Sequence, residues 1–217
     1  MTSITTAPDL REIREQIARC TLCKLGTGSA RPVPGEGNPH AAVMLVGEAP
    51  GFYEDQQGRP FVGPAGQLLD QLLSAAGFAR SDVFITNVIK HRPPGNRDPE
   101  EDEITACDGF LRAQIAAIRP RVIVTLGRYS LAKFIPNVRS MKEVHGKAFP
   151  YENLLVCAMY HPAAALHQGS LRGVLEQDFR ALPMIIARAD ARAAAADERN
   201  DGGIAAQEPP AEQMALW

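Results

Sequence analysis

The chain has 217 residues, 45% of them apolar, 22% charged and 6% aromatic, and a formal net charge of −2. This is enough apolar material for one independently folding core, and it lacks both the polar bias of a disordered chain and the run of about 20 apolar residues that a membrane span needs. The N-terminal MTSITTAPDLREIREQ has no basic segment leading into an apolar one, so no secretory signal is expected and cytoplasmic residence follows. Four cysteines in that reducing compartment point to metal or cluster ligation before disulfides.

Asp9 to Ala18 carries Leu10, Ile13 and Ile17 at three- and four-residue spacing, which predicts a short amphipathic helix handing the chain to Cys20-Thr21-Leu22-Cys23, a CxxC ligand loop. After the Gly/Pro-rich stretch 26–39, a first strand near 42–46 is apolar on both faces, as in a parallel sheet covered on both sides. Gly47, Pro50 and Gly51 end it in a loop bearing Glu48, Glu54, Asp55 and Phe61, and Ala65 to Leu73 reads as the helix leading back. Asp82 to Asn87 is the second strand, followed by the turn-rich HRPPGNRDP. Pro99 then opens a helix reaching about Arg119, with acids in its first turn and Cys107 along it.

Val122 to Leu126 is a third strand, followed by a helix from Tyr129 to Ile135, and Leu154 to Met159 is a fourth, ending at Tyr160-His161-Pro162. Leu171 to Ala189 closes the domain. Strands separated by helices predict an α/β fold of three layers, α/β/α, in one domain over 1–189, with ligands bound at the carboxyl ends of the strands. Residues 190–212 hold almost no large apolar side chain and are expected to be disordered, with no second domain and no repeat.

The loop after the first strand contains no GxGxxG or GxxxxGK[ST], which disfavours a nucleotide cofactor. Carboxylates beside one aromatic suit a site that stacks a flat ring and manages charge next to it; a polar loop with solvated acids and a core phenylalanine is the plain alternative. Residues 190–217 carry six acids against two arginines, so the remainder of the chain has a charge of about +2, and Arg59, Lys90, Arg92 and Arg97 fall in the motif loops. A local basic patch of this kind is enough for a small anionic footprint.

GEAPG at 47–51, Glu54-Asp55, GRPFVGPAGQLL at 58–69, ITN at 85–87, RPPGNR at 92–97 and HPAAAL at 161–166 follow one another as in the family 4 uracil-DNA glycosylases, the iron–sulfur branch, and the resemblance covers roughly residues 10 to 188. It implies a four-stranded parallel sheet and a monofunctional enzyme that hydrolyses the N-glycosidic bond of deoxyuridine in single- and double-stranded DNA, leaving an abasic site for base excision repair. An alternative is a uracil-DNA-binding protein trapped on its abasic product or without turnover. Between Lys90 and Arg92 there is no room for the inserted basic loop of the trapping branch.

Within that resemblance Gly47, Ala49, Phe61 and Asn87 are substrate-binding positions. Phe61 stacks on the extruded uracil. Asn87 ends a strand at the pocket; its amide oxygen accepts from uracil N3–H while its NH2 donates to O4, a pattern that cytosine inverts. His161 donates to uracil O2 as negative charge grows there. Ala49 stands where the best-known glycosylase family carries an aspartate and cannot activate water, so Glu48 or Asp55 is expected to orient it. Gly51 replaces the tyrosine that elsewhere excludes thymine's methyl group. His145 and His167 are read as structural.

The resemblance also implies a [4Fe–4S] cluster on four cysteines. Cys20, Cys23 and Cys107 occupy three of those positions, but His91 stands immediately before Arg92-Pro93-Pro94 where the fourth is expected. A Cys3His iron–sulfur site is the first expectation and a tetrahedral zinc site the alternative. Cys157 lies in the apolar strand LLVCAM and reads as a buried thiol. At the C-terminus, Gln213-Met214-Ala215-Leu216-Trp217 resembles the bacterial sliding-clamp pentapeptide, so Gln213, Leu216 and Trp217 are candidate clamp contacts, with a fold-back onto the protein's own surface as the alternative. A nucleoid-associated monomer is expected.

Overall fold

The computed structural model describes residues 9–28 and 30–201, with side chains to residue 196. The clamp-like peptide at 213–217 lies outside the described residues. Helix α1 (Leu10–Ala18), capped by the Asp9 carboxylate accepting from Arg11 N–H, leads into the cysteine loop. The chain then builds β1 (Glu36–Gly37), β2 (Val43–Gly47), α2 (Phe52–Gln57), α3 (Pro64–Ala75), β3 (Phe84–Asn87), α4 (Glu101–Ile118) and β4 (Val122–Leu126). The remaining elements are α5 (Arg128–Ala132), α6 (Met141–Val144), β5 (Ala148–Tyr151), β6 (Leu154–Met159), α7 (Pro162–His167), α8 (Ser170–Arg180) and α9 (Leu182–Asp201).

The sheet has six strands in the order β1-β3-β2-β4-β6-β5 and is mixed, which corrects the four-stranded parallel expectation. The four strands read from the sequence are parallel and central, while β1 and β5 pair antiparallel at the two edges. Both edge strands escape a periodicity reading for physical reasons. β1 has two residues, and β5 carries Pro150, which lacks the N–H that a central strand needs and is tolerated at an edge.

Alternation along the strands separates two cores. Val43, Leu45, Val122 and Val124 pack with Leu69, Leu72 and Leu73 of α3 and with Leu175 and Phe179 of α8. Met44, Val46 and Ile123 pack on the other face with Cys107, Leu111 and Ile118 of α4 and Leu131 of α5. Because every central strand is buried on both faces, neither face can slip toward solvent.

Chain order reverses at β2: β3 lies to one side of it and β4 to the other. The carboxyl ends of β2 and β4 therefore flank a topological switch point, where α/β sheets place their ligands. The expected loss of order after Ala189 is also corrected as far as Asp201, because α9 continues through it. Alanine is the strongest helix former, so Ala193 to Ala196 sustain a helix without large apolar side chains, and Asp190 pairs with Arg121.

Candidate active site

A cavity of about 360 Å³ opens at this switch point, lined among others by Glu48, Ala49, Phe61, Asn87, Arg97 and His161. Glu48, Asn87 and His161 come from the ends of strands far apart in sequence, and Phe61 and Arg97 from the loops between elements. The β2–β3 register sets Gly47 beside Asn87, and β6 pairs with β4 up to Met159 opposite Leu126, which delivers His161 next to Gly127. Gly47 lies beneath the cavity: a Cβ there would come 2.3 Å from Asn87 Oδ1 and 2.7 Å from the Phe61 ring. Its role is to leave room for the two side chains that the sequence reading assigned to base binding.

Asn87 is buried, yet neither Oδ1 nor Nδ2 has a hydrogen-bond partner. An orphaned buried amide costs about 1–3 kcal/mol, so one that faces a cavity is poised for a ligand carrying a matching acceptor and donor. Its main chain, by contrast, is fixed. Lys90 Nζ donates to Asn87 O at 2.7 Å, to Thr86 Oγ1 at 2.8 Å and to Gln114 Oε1 at 2.8 Å. Lys90 is completely buried, and burial pushes its amine down to about 7. It therefore cannot belong to the basic surface patch where the sequence reading placed it.

Phe61 adopts a left-handed backbone with φ 49°, uncommon for an aromatic residue and a form of strain that functional sites retain. Its ring stacks near His161, with centroids 5.5 Å apart and planes 29° apart. His161 caps α7, its Nδ1 accepting from Ala163 N–H at 3.1 Å. With Nδ1 an acceptor, the neutral ring carries its proton on Nε2. Burial pushes the imidazole down to about 4, opposed by the charge of Glu54, so at neutral pH it is an uncharged donor.

The two expected acids separate. Glu48 lines the cavity, and burial, assisted by the charge of Asp98 and opposed by Arg128, raises its carboxyl to about 7. Asp55 lies outside the cavity lining: Oδ1 accepts from Arg31 N–H at 2.7 Å and Oδ2 is 4.0 Å from Arg92. Glu54, not assigned a role from sequence, lines the cavity and braces the loop. Its Oε1 accepts from Val62 N–H at 2.8 Å and Gly63 N–H at 3.0 Å, and its Oε2 from Gly51 N–H at 3.1 Å. The signal available in the sequence was a Glu three positions after the residue that starts a helix, the spacing of a capping box.

The expected cations also divide. Arg59 makes a bidentate pair with Glu36, and Arg97, at the cavity wall, pairs with the buried Glu103. Arg92 Nε donates to Asn96 at 2.7 Å, with its guanidinium carbon 5.1 Å from the centre of the Phe52 ring. Phe52 and Tyr53 are both half exposed at the rim, where sequence periodicity gave no signal because α2 buries none of its residues.

On the α4 face, Cys20, Cys23 and Cys107 are free thiols. Burial raises Cys107, opposed by the Lys90 backbone N–H and ammonium, and the charges of Cys23 and Cys20 raise it further; Cys23 packs against the apolar cluster that contains Cys107. His91 is buried with Nδ1 unpaired. This donor set suits a polynuclear group: three thiols, an orphan imidazole nitrogen and little solvent. Among the described residues no three His, Cys, Asp or Glu side chains gather closely enough to hold a metal ion as the side chains stand. Cys157 is buried in β6, and desolvation raises it to about 12, in keeping with an inert core thiol.

The fold is α/β with its cavity beyond the carboxyl ends of the central strands, and residues 34–181 match the profile of the Uracil DNA glycosylase superfamily, to which the chain belongs. It is 50% identical over 180 residues to the type-4 uracil-DNA glycosylase of Sulfurisphaera tokodaii, covering 79% of this chain and 82% of that one. The type-4 enzyme of Thermotoga maritima is 42% identical, with 80% and 93% covered. A type-5 uracil-DNA glycosylase of Thermus thermophilus is 34% identical over 131 residues, 54% of this chain and 59% of its own.

Proposed function

We propose that the chain is a monofunctional uracil-DNA glycosylase that starts base excision repair by hydrolysing the N-glycosidic bond of deoxyuridine in DNA. The observation that carries this reading is the buried Asn87 amide, whose donor and acceptor are both unpaired in a cavity shared with an aromatic face and a neutral imidazole donor. Uracil offers N3–H and O4 to that amide. Cytosine offers a bare N3 and an N4 amine, which would set acceptor against acceptor and donor against donor.

The reaction needs the base out of the stack. Phe61 supplies a face for it, worth on the order of 1–3 kcal/mol. As the C1′–N1 bond breaks, its electron pair passes to uracil, and the charge collecting on O2 is met by His161 Nε2–H, a contact that strengthens in the transition state. The sugar becomes oxocarbenium-like and is attacked at C1′ by water. Glu48, which ionises near 7, orients that water, takes its proton and stabilises the sugar cation. Asp55, held by Arg31 N–H outside the cavity, is the weaker candidate for this role. Leu166, 49% exposed on the helix that His161 caps, suits the gap left by an extruded base in duplex DNA.

Cys20, Cys23, His91 and Cys107 would hold a [4Fe–4S] cluster. When bound, such a group supplies a covalent staple between the loop after α1 and α4, together with a fixed charge. The chain's own contribution is the buried orphan nitrogen of His91 and the three free thiols. As a monomer acting near the nucleoid, the protein would meet the DNA sliding clamp through Gln213, Leu216 and Trp217. A peptide of residues 208–217 should bind purified clamp with micromolar affinity; no binding by that peptide would remove the proposal.

Incubation of the protein with labelled uracil oligonucleotides, single- and double-stranded, tests the main reading. Free uracil and alkali-labile abasic DNA are expected. A covalent adduct would indicate trapping on the product, and unchanged DNA would indicate binding without turnover.

A further inference from the structure

We propose that Phe52, Tyr53 and Arg92 form a subsite at the cavity rim for the unpaired base and phosphate next to the excised nucleotide in the same DNA strand. The proposal rests on the glycosylase reading and assigns it a preference for single-stranded contexts. Large apolar side chains that are substantially exposed are few among the described residues: Leu22, Phe52, Tyr53, Leu166 and Met184. The two aromatic ones are consecutive, each 50% exposed, and sit between Gly51 and Glu54, both of which line the cavity.

The platform is held rigidly. Glu54 gathers the N–H groups of Gly51, Val62 and Gly63, which ties α2 to the loop carrying Phe61. Tyr53 lies so close to Gly63 that a Cβ there would come 2.8 Å from its ring. Phe52 meets Tyr53 edge to face, with centroids 5.5 Å apart and planes at 84°. The two aromatic side chains stand on a helix that buries no residue, each leaves half of its surface to solvent, and Gly51 and Glu54 on either side of them line the base cavity.

Arg92 supplies the complementary charge. Its Nε is fixed by Asn96, and its neighbours Pro93 and Asn96 line the cavity. Its nearest carboxylate partner, Asp55, stands 4.0 Å away and is engaged with Arg31 N–H. Aromatic faces beside an anchored guanidinium match a nucleotide, one base stacking and one phosphate bridging. In duplex DNA the flanking bases remain paired and stacked. In a single strand they have no complement, and the rim can capture one of them.

The test uses the full-length protein and single-stranded oligonucleotides with a central uracil, in which the base on one side or the other is replaced by a tetrahydrofuran abasic analogue. Removing the captured base should lower the wild-type kcat/KM by about tenfold, the scale of one base–aromatic stack. Phe52→Ala/Tyr53→Ala should lose a similar factor on the intact strand and nothing further on the abasic-flanked one, while Phe52→Trp should retain wild-type efficiency. Losses that multiply, a double variant equal to wild type on the intact strand, or an equal loss on duplex DNA would overturn the subsite. If the wild type releases no uracil from any oligonucleotide, the glycosylase reading fails and the subsite with it.

Discussion

Lys90 Nζ donates to the main-chain carbonyl of Asn87 at 2.7 Å, while the side-chain amide of the same asparagine has neither polar atom paired. One end of the residue is locked so that the other can be presented. Lys90→Met should leave Thr86 Oγ1, Gln114 Oε1 and Asn87 O short of a donor, at a cost of about 1–3 kcal/mol in urea unfolding, and should raise KM for uracil DNA as Asn87 loosens. Unchanged stability and KM would show that the ammonium is dispensable.

His161→Ala should lower kcat by about 10²–10³, the scale for removing an oxyanion donor. Because burial pushes His161 down to about 4, the wild-type pH profile should show no titration of this ring between pH 5.5 and 9, in contrast to an ordinary histidine near 6.5. A limb near 6.5 that vanishes in His161→Gln would mean that the ring works as a cation.

Glu48, raised to about 7, should give kcat/KM that climbs with pH through that value, since the ionised carboxylate is the active form. Glu48→Gln should flatten the limb and lower activity at pH 8 by about 10–100-fold. The stability sign is opposite. Folding disfavours ionised Glu48, so wild-type stability falls as pH rises from about 4.5 to 7, and Glu48→Gln should be more stable by about 1–2 kcal/mol above pH 7, with the gain vanishing below pH 4.5. Thermal melts at pH 4.5 and pH 8 measure both halves.

Much of the fold was legible because the central strands are apolar on both faces and stop at glycine or asparagine, as Val43–Gly47 and Phe84–Asn87 do. Motif order singles out Glu48, Phe61, Asn87 and His161, and all four line one cavity. What was hidden depends on tertiary context. Lys90 reads as a surface cation until Thr86, Gln114 and Asn87 O close around it, and Asp55 reads as a site acid until Arg31 N–H takes it. The alanine-rich stretch after Ala189 reads as disorder because composition registers its missing core contacts before its helix propensity.

For the cysteine-rich face, anaerobically purified protein should be brown and carry iron and sulfide, and His91→Cys should hold its colour longer in air. Stripping the cluster should lower Tm more than it lowers kcat, because Cys20 and Cys23 follow α1 and Cys107 sits on α4, away from the cavity lining. A colourless, metal-free protein with an unchanged melting temperature would contradict the staple.

The most direct test of base recognition is single-turnover uracil excision by Asn87→Asp. A carboxylate in place of the amide keeps an acceptor for N3–H but repels O4 where Nδ2 donated, so the rate should fall by about 10²-fold or more while the fold is retained, with weak excision of cytosine as the complementary gain. Full uracil activity in Asn87→Asp would contradict the assignment of the unpaired Asn87 amide as the group that reads the base.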